Sequence, residues 1–369
     1  MTAQPQSKPR NYGIDLLRLL ASVMIIMHHL ISYGGLGAMF PVLSTSRMFY
    51  QGINIIAYCG VNLFGLITGY NGAGRNWRLS KLVELWIQIV FTGVTVMLAF
   101  RLITGTAISR RDWLYFLFPL SHNTYWYFNA YLVMYLLLPL IQKGLDSADR
   151  RTYTLTLLGL TLVLTVLPLF CKEDIFRLVV GYHALWLLVL YMTGYYLRRF
   201  ATERMKKAAL PVFLLCMGVA FGSRVLIEWL RNKGATTMDA SLLEKYTSPT
   251  LYIGSAALTL WFATLRLPEG FGRVMARLSP FAFGVYLIHG HDLIYQNWLC
   301  YCFVPYGGLS GGRLLALFAG VTLGIFAVCL LLDWLRAGLF RLIRLKDGLR
   351  WLENKTTEWL NQHFSAEET

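Results

Sequence analysis

Apolar residues run along this chain in stretches long enough to cross a bilayer, separated by short polar turns. Ten such stretches cover residues 13–33, 52–70, 80–103, 124–142, 153–170, 181–198, 208–230, 249–266, 280–301 and 314–335. A helix of about 20 apolar residues spans the hydrocarbon core. The pattern therefore predicts an all-α, polytopic membrane protein of about ten transmembrane helices. Between the third and fourth stretches, Trp113–Leu120 is too short to cross and is expected at the interface. Beyond the last, Trp351, Leu352, Trp359 and Leu360 alternate with charges, as in an amphipathic surface helix. The chain thus divides into an N-terminal segment (1–12), a transmembrane unit (13–335) and an amphipathic tail (336–369). No leader with a cleavage site precedes the first apolar run, which is expected to remain as a span.

Composition supports this division. Of 369 residues 56% are apolar and 14% charged; soluble domains are about a quarter charged, which excludes a water-soluble globule. The 34 Lys and Arg outnumber the 19 acids, for a net charge of +15. In a soluble chain this excess would point to nucleic acid; here it reports membrane orientation, and no nucleic-acid partner is expected. An N-terminus placed inside leaves 22 basic residues in the cytoplasm and 10 outside, with Arg18 and Arg224 within spans. That bias puts both termini in the cytoplasm and favours an even number of helices. The six cysteines form no C-x-x-C pair, and no metal site is expected. Nothing in the pattern fixes an oligomeric state.

Charged groups within spans are expensive and mark either function or a buried structural contact. The first span carries Asp15, Arg18, Ser22, His28 and His29. At about 100° per residue, Arg18 and His29 lie within about 20° of the same helix face, shared by Asp15 and Ser22, while His28 points about 80° away. A wet or protein-lined chamber explains this stripe. So does an interfacial Asp15–Arg18 pair with a packing histidine.

After the second span, Gly69–Arg78 places Arg75 and Arg78 three residues apart, with Trp77 between them. Two arginines on one helical face suit a phosphate, and they suit cytoplasmic anchoring equally well. His289 and His291 of the ninth span are about 200° apart on a helix and cannot jointly hold one ion. His289 is expected mid-membrane against another polar helix. Arg224 and Glu228 form an i,i+4 pair read as a structural salt bridge. Trp126 and Asn129 of the fourth span and His183 of the sixth bring polar and aromatic groups near the outer surface. They form either an interfacial belt or the edge of a groove that holds a sugar.

Four of these motifs, in this order, resemble the acyltransferase 3 family of integral membrane acyltransferases. They are Arg-x10-His at Arg18 and His29, Arg-x-x-Arg at Arg75 and Arg78, Tyr125-Trp126-Tyr127-Phe128 leading to Leu138-Pro139, and Tyr286-Leu287-Ile288-His289. The resemblance runs from about Asn11 to the last span; Thr68 replaces the serine usual before Gly69.

The resemblance implies transfer of an acyl group, most often acetyl from acetyl-CoA. The acceptor would be a hydroxyl of a cell-envelope polysaccharide or lipid-linked sugar, and the location a bacterial inner membrane. In that reading His29 is the general base, with a covalent acyl-histidine as the other route. Asp15 and Arg18 hold the helix register or touch the donor, and His289 polarises the carbonyl or binds the acceptor. Arg75, Arg78, Trp77 and Arg18 hold the donor, and Trp126, Asn129 and His183 the acceptor. His29 lies about 24 Å along its helix from Gly13, in the half away from the arginines. The competing reading is a transporter or flippase for a sugar or lipid-linked glycan, but the paired repeats common in transporters are absent from the sequence.

Overall fold

A computed structural model describes residues 10–74, 77–171, 173–309 and 311–364, all helix and connecting loop. The long helices are α1 (Tyr12–Ser32), α2 (Thr45–Gly72) and α3 (Leu79–Thr104). A short α4 (Arg110–Leu117) precedes α5 (Trp126–Ser147) and α6 (Arg150–Thr161), the last prolonged by a π turn and a 3-10 turn to Phe170. Then follow α7 (Ala184–Phe200), α8 (Glu203–Asn232), α9 (Pro249–Thr264) and α10 (Glu269–Leu278). The chain closes with α11 (Ala282–His289), α12 (Asp292–Ile294), α13 (Gly311–Leu342) and α14 (Leu345–Phe364).

Among the described residues, seven helices are long and apolar enough to cross a membrane, and the protein is a multi-pass membrane protein. The sequence pattern expects ten. Helices α7 and α9 fall short of the full span, with 17 and 16 residues. The expected ninth span, 280–301, is not one helix. Gly290 ends α11, the extended His291 caps α12, and a π turn follows at Tyr295–Leu299. The break coincides with the polar run His289-Gly290-His291-Asp292, which an average over a span-length stretch smooths away.

Helix α1 is central: 67% of its apolar window is buried, against 22% for α13. Its start is pinned from several sides. The Asn11 side chain accepts from the Ile14 N–H at 3.1 Å and donates to the Ala263 carbonyl at 2.8 Å. Asp15 accepts from Arg10 Nε at 2.7 Å and from Ser279 Oγ at 2.6 Å. About two turns higher on the stripe, Ser22 donates to the Ala282 carbonyl at 3.1 Å. These bonds fix the rotation of α1 against α10 and α11.

Helices α2 and α7 meet backbone to backbone, because each presents a glycine to the other. A Cβ on Gly69 would stand 1.9 Å from the Tyr191 carbonyl oxygen, and one on Gly194 2.0 Å from that of Leu66. Small residues at such crossings let helices pack closely where lipid supplies no hydrophobic drive. We call the end where α1 begins the basal end, and the end where it finishes the far end.

Candidate active site

His29 lies one turn from the far end of α1, and its ring meets those of the adjacent His28 and of three residues further along the chain. Its centroid is 5.1 Å from that of His289, 5.4 Å from Tyr295 and 6.0 Å from Tyr33. His289 is the last residue of α11, so the break in the expected ninth span is what brings it here. His289 Nδ1 donates to the Val285 carbonyl at 2.6 Å, which leaves Nε2 as a lone-pair acceptor in the neutral ring. That Nε2 and the Nδ1 of His29 are both buried without a hydrogen-bond partner among the described residues. An unmet buried polar atom costs about 1–3 kcal/mol, so two in facing rings call for an explanation.

The neighbouring histidines are satisfied. His28 Nδ1 donates to Asn54 Oδ1 at 2.9 Å, on a different face from His29. His291 Nε2 donates to the Gly93 carbonyl at 3.1 Å, and its Nδ1 accepts from the Leu293 N–H at 3.3 Å. Its ring stacks on Phe116 at 4.3 Å. These two rings are engaged by hydrogen bonds, whereas His29 and His289 each keep an unpartnered nitrogen.

The His29 ring borders a narrow slot of about 40 Å³, walled by Ile25, Val61, Phe64, Trp126, Tyr127 and Tyr286 among others. From this slot a ladder of tyrosines descends α5. Tyr127, Tyr131 and Tyr135 stand at successive i,i+4 positions, with centroids 6.4 and 5.7 Å apart and planes tilted by 23°. The Arg18 charge acts on the Tyr127 and Tyr131 hydroxyls, about 16 Å below His29 along α1. At the foot of the ladder, Tyr135 Oη donates to the Arg78 carbonyl at 3.0 Å, and Lys81 lies 5.5 Å over its ring. Lys81 also borders a basal cavity of about 650 Å³, together with Arg336, Arg344, Lys346 and Arg350. A line of aromatic groups thus joins a basic basal rim to the slot beside His29.

Other residues singled out from sequence take different places. Asp15 lies about 21 Å from His29 along α1, tied to Arg10 and Ser279, too far to touch chemistry there. Trp77 donates its indole N–H to the Tyr135 carbonyl at 2.9 Å and packs on that ring, so it braces the ladder. Arg78 precedes α3 at the basal end, whereas Arg75 lies outside the described residues. Trp126 lines the slot and leans on Tyr182 at 4.2 Å. Asn129 bonds to the Leu120 carbonyl and to Asn123, and His183 is an exposed cap of α7. Neither lines the slot.

Sequence reasoning missed Tyr33 and Tyr295. Tyr33 was accessible, being four residues beyond His29; Tyr295 was not, because it reaches the site through the break after Gly290. Among the described residues no three His, Cys, Asp or Glu converge as metal ligands would.

A family model described as an acyltransferase domain, Acyl_transf_3, matches residues 11–334. The chain belongs to the acyltransferase 3 family. No curated protein and no solved structure matches it. As a membrane acyltransferase it needs an acyl donor, an acceptor, and a group to move the acceptor's proton. The family match ends close to the basal end of α13, so the basic residues Arg336 to Arg350 around the basal cavity lie beyond it.

Proposed function

We propose that this acyltransferase moves an acetyl group from cytoplasmic acetyl-CoA to a hydroxyl of a cell-envelope polysaccharide or lipid-linked sugar. We place it in a bacterial inner membrane, its basal end in the cytoplasm. The observation that carries the proposal is the pair of unpartnered imidazole nitrogens on His29 and His289, whose rings lie 5.1 Å apart, with the His29 ring bordering a slot at the head of the tyrosine ladder. The His289 Nε2 is a lone-pair acceptor that lacks a donor, which is what an approaching hydroxyl supplies, and the adjacent His29 brings a second unpartnered nitrogen.

In this reading Arg78 and Lys81, with Arg75, hold the nucleotide phosphates of the donor at the basal rim. The long arm of the donor lies along Tyr135, Tyr131 and Tyr127, past Arg18, and its thioester enters the slot. His29 takes the proton of the acceptor hydroxyl as its oxygen bonds to the carbonyl carbon. The carbon–sulfur bond breaks, the ester forms, and the thiolate recovers the proton from the imidazolium. His289 holds the acceptor hydroxyl through Nε2. The alternative role of polarising the carbonyl needs a donor there, and the Val285 bond has fixed the proton on Nδ1. The slot is small: a single water needs about 10–15 Å³, so about 40 Å³ favours a short acyl group.

The test is release of free thiol from acetyl-CoA by purified protein in lipid nanodiscs. Release that depends on an added hydroxylated envelope sugar supports the proposal; sugar movement across the bilayer without thiol release favours a transporter.

A further inference from the structure

At the far end of the bundle lies a second cavity, of about 440 Å³, between the ends of α1, α2 and α8 and the loop that leads into α9. Its volume is that of a small-molecule site. Arg224 is braced beside it by two acids rather than one: Nε donates to Glu228 at 2.7 Å and Nη1 to Glu244 at 2.8 Å. The Glu244 side chain is 7% exposed, as is that of Glu228, and in each one carboxylate oxygen has no partner among the described residues. On the α2 wall the Nε of Arg47 is likewise buried and unmatched, one turn before Gln51 and two before Asn54. Two carboxylates around one guanidinium exceed what a structural salt bridge requires.

The unmet atoms that border the cavity are of both kinds, a donor on Arg47 and an acceptor on Glu244, with the Gln51 amide offering each. Tyr58 adds an aromatic face. A simple anion has no use for the Glu244 carboxylate or its unmet oxygen, and a lipid chain has no use for any of these charges. A polyol, whose every hydroxyl both donates and accepts, matches the mixture.

The position is as informative as the chemistry. The Tyr58 ring meets His28 edge-on at 4.4 Å, and the His28 ring lies 5.7 Å from that of His29. Tyr58, Tyr182 and Tyr246 interact through their hydroxyls and form a thin layer, and Tyr182 and Tyr246 also line the slot. The cavity therefore approaches His29 from the side opposite the basic basal rim.

Building on the transferase reading above, we propose that this cavity is the acceptor subsite: it holds a polyhydroxylated sugar and presents one hydroxyl across the Tyr58–Tyr182–Tyr246 layer to His29. The sugar is held chiefly by Arg47, Gln51 and Glu244. Donor and acceptor then enter from opposite ends of the bundle and meet at His29.

The test uses the full chain in lipid nanodiscs with no donor present. Binding of methyl glucoside, N-acetylglucosamine and glucuronate is followed by saturation-transfer NMR in wild type, Gln51→Ala and Glu244→Gln. Glu244→Gln leaves Arg224 and Glu228 as a one-to-one pair, and acetyl-CoA binding within twofold of wild type shows each variant folded. Binding of at least one saccharide, weakened tenfold or more in both variants, is the expected result. Saccharide affinity unchanged in the variants, or no binding of any of the three by wild type, overturns the proposal. Cavity-dependent binding by a wild-type protein that never releases thiol would uphold the subsite and sink the transferase reading instead.

Discussion

The His29 and His289 rings lie 5.1 Å apart, although 260 residues separate them in the chain. The contact exists because α1 is held at a fixed rotation by Asp15 and Ser22, and because α11 stops where it does. His289 commits one nitrogen to Val285 and leaves the other beside His29 with nothing to bond. If that nitrogen holds the acceptor hydroxyl, His289→Ala lowers kcat/KM for the acceptor by about tenfold to a hundredfold, the worth of one buried hydrogen bond. The KM for acetyl-CoA stays put. His289→Gln, which retains an acceptor, loses less. Steady-state kinetics with each substrate varied in turn checks this.

The role of Arg78 is separable from the chemistry by salt. A charge-assisted contact to a phosphate is worth about 1.5–3 kcal/mol. Arg78→Ala is expected to raise the KM for acetyl-CoA by at least about tenfold with kcat little changed. The difference from wild type shrinks at high ionic strength, as it does for charges at a wet rim. A fall in kcat with the donor KM unaltered would place Arg78 in the reaction rather than in donor capture.

Slot size sets the acyl group. With about 40 Å³ beside His29, turnover should fall steeply from acetyl to butyryl to hexanoyl donors. Phe64→Ala, which opens the slot wall, is expected to narrow the gap between acetyl and butyryl by about tenfold, since one or two methylenes are worth about 1–3 kcal/mol. Equal rates for all chain lengths in wild type would show that the acyl group lies elsewhere.

Glu244 gives a pH signature. Burial pushes its carboxyl up from the ordinary 4.5 to about 7, with Arg224 opposing and Glu228 adding to the rise. Its folded pKa is thus above its unfolded one, so the folded state holds the proton more tightly. The associated stability is fully present below about pH 4.5 and is lost as pH rises through about 7. Glu244→Gln removes that dependence: going from about pH 5.5 to about pH 8, wild type loses melting temperature relative to the variant. Parallel melting curves at all pH values would mean that Glu244 is ionised throughout.

Much of this arrangement is legible in the sequence, and the limits have physical reasons. The shared face of Arg18 and His29 follows from helix periodicity alone, because α1 is regular from Tyr12 to Ser32. The family likewise follows from short motifs, each local in the chain. What joins distant helices does not. The Arg224–Glu228 pair is visible at i,i+4, but Glu244 is not, since a loop returns it to the same guanidinium. Trp77 reads as a donor-binding group beside the arginines, yet its indole is taken by the Tyr135 carbonyl. The i,i+4 spacing of Tyr127, Tyr131 and Tyr135 is visible in the sequence, but abundant aromatics blur any single stripe. The break at Gly290 has a local signal, His289-Gly290-His291-Asp292, which the apolar runs further out on both sides outweigh in a span-length average.

The central claim is that His29 removes the acceptor proton, and the most direct measurement is the rate of acetyl transfer by purified His29→Ala beside its affinity for acetyl-CoA. General-base catalysis contributes about 10²–10⁴-fold. The account expects transfer to fall by about a thousandfold with acetyl-CoA bound as tightly as before. Transfer that continues at the wild-type rate in the alanine variant would contradict it.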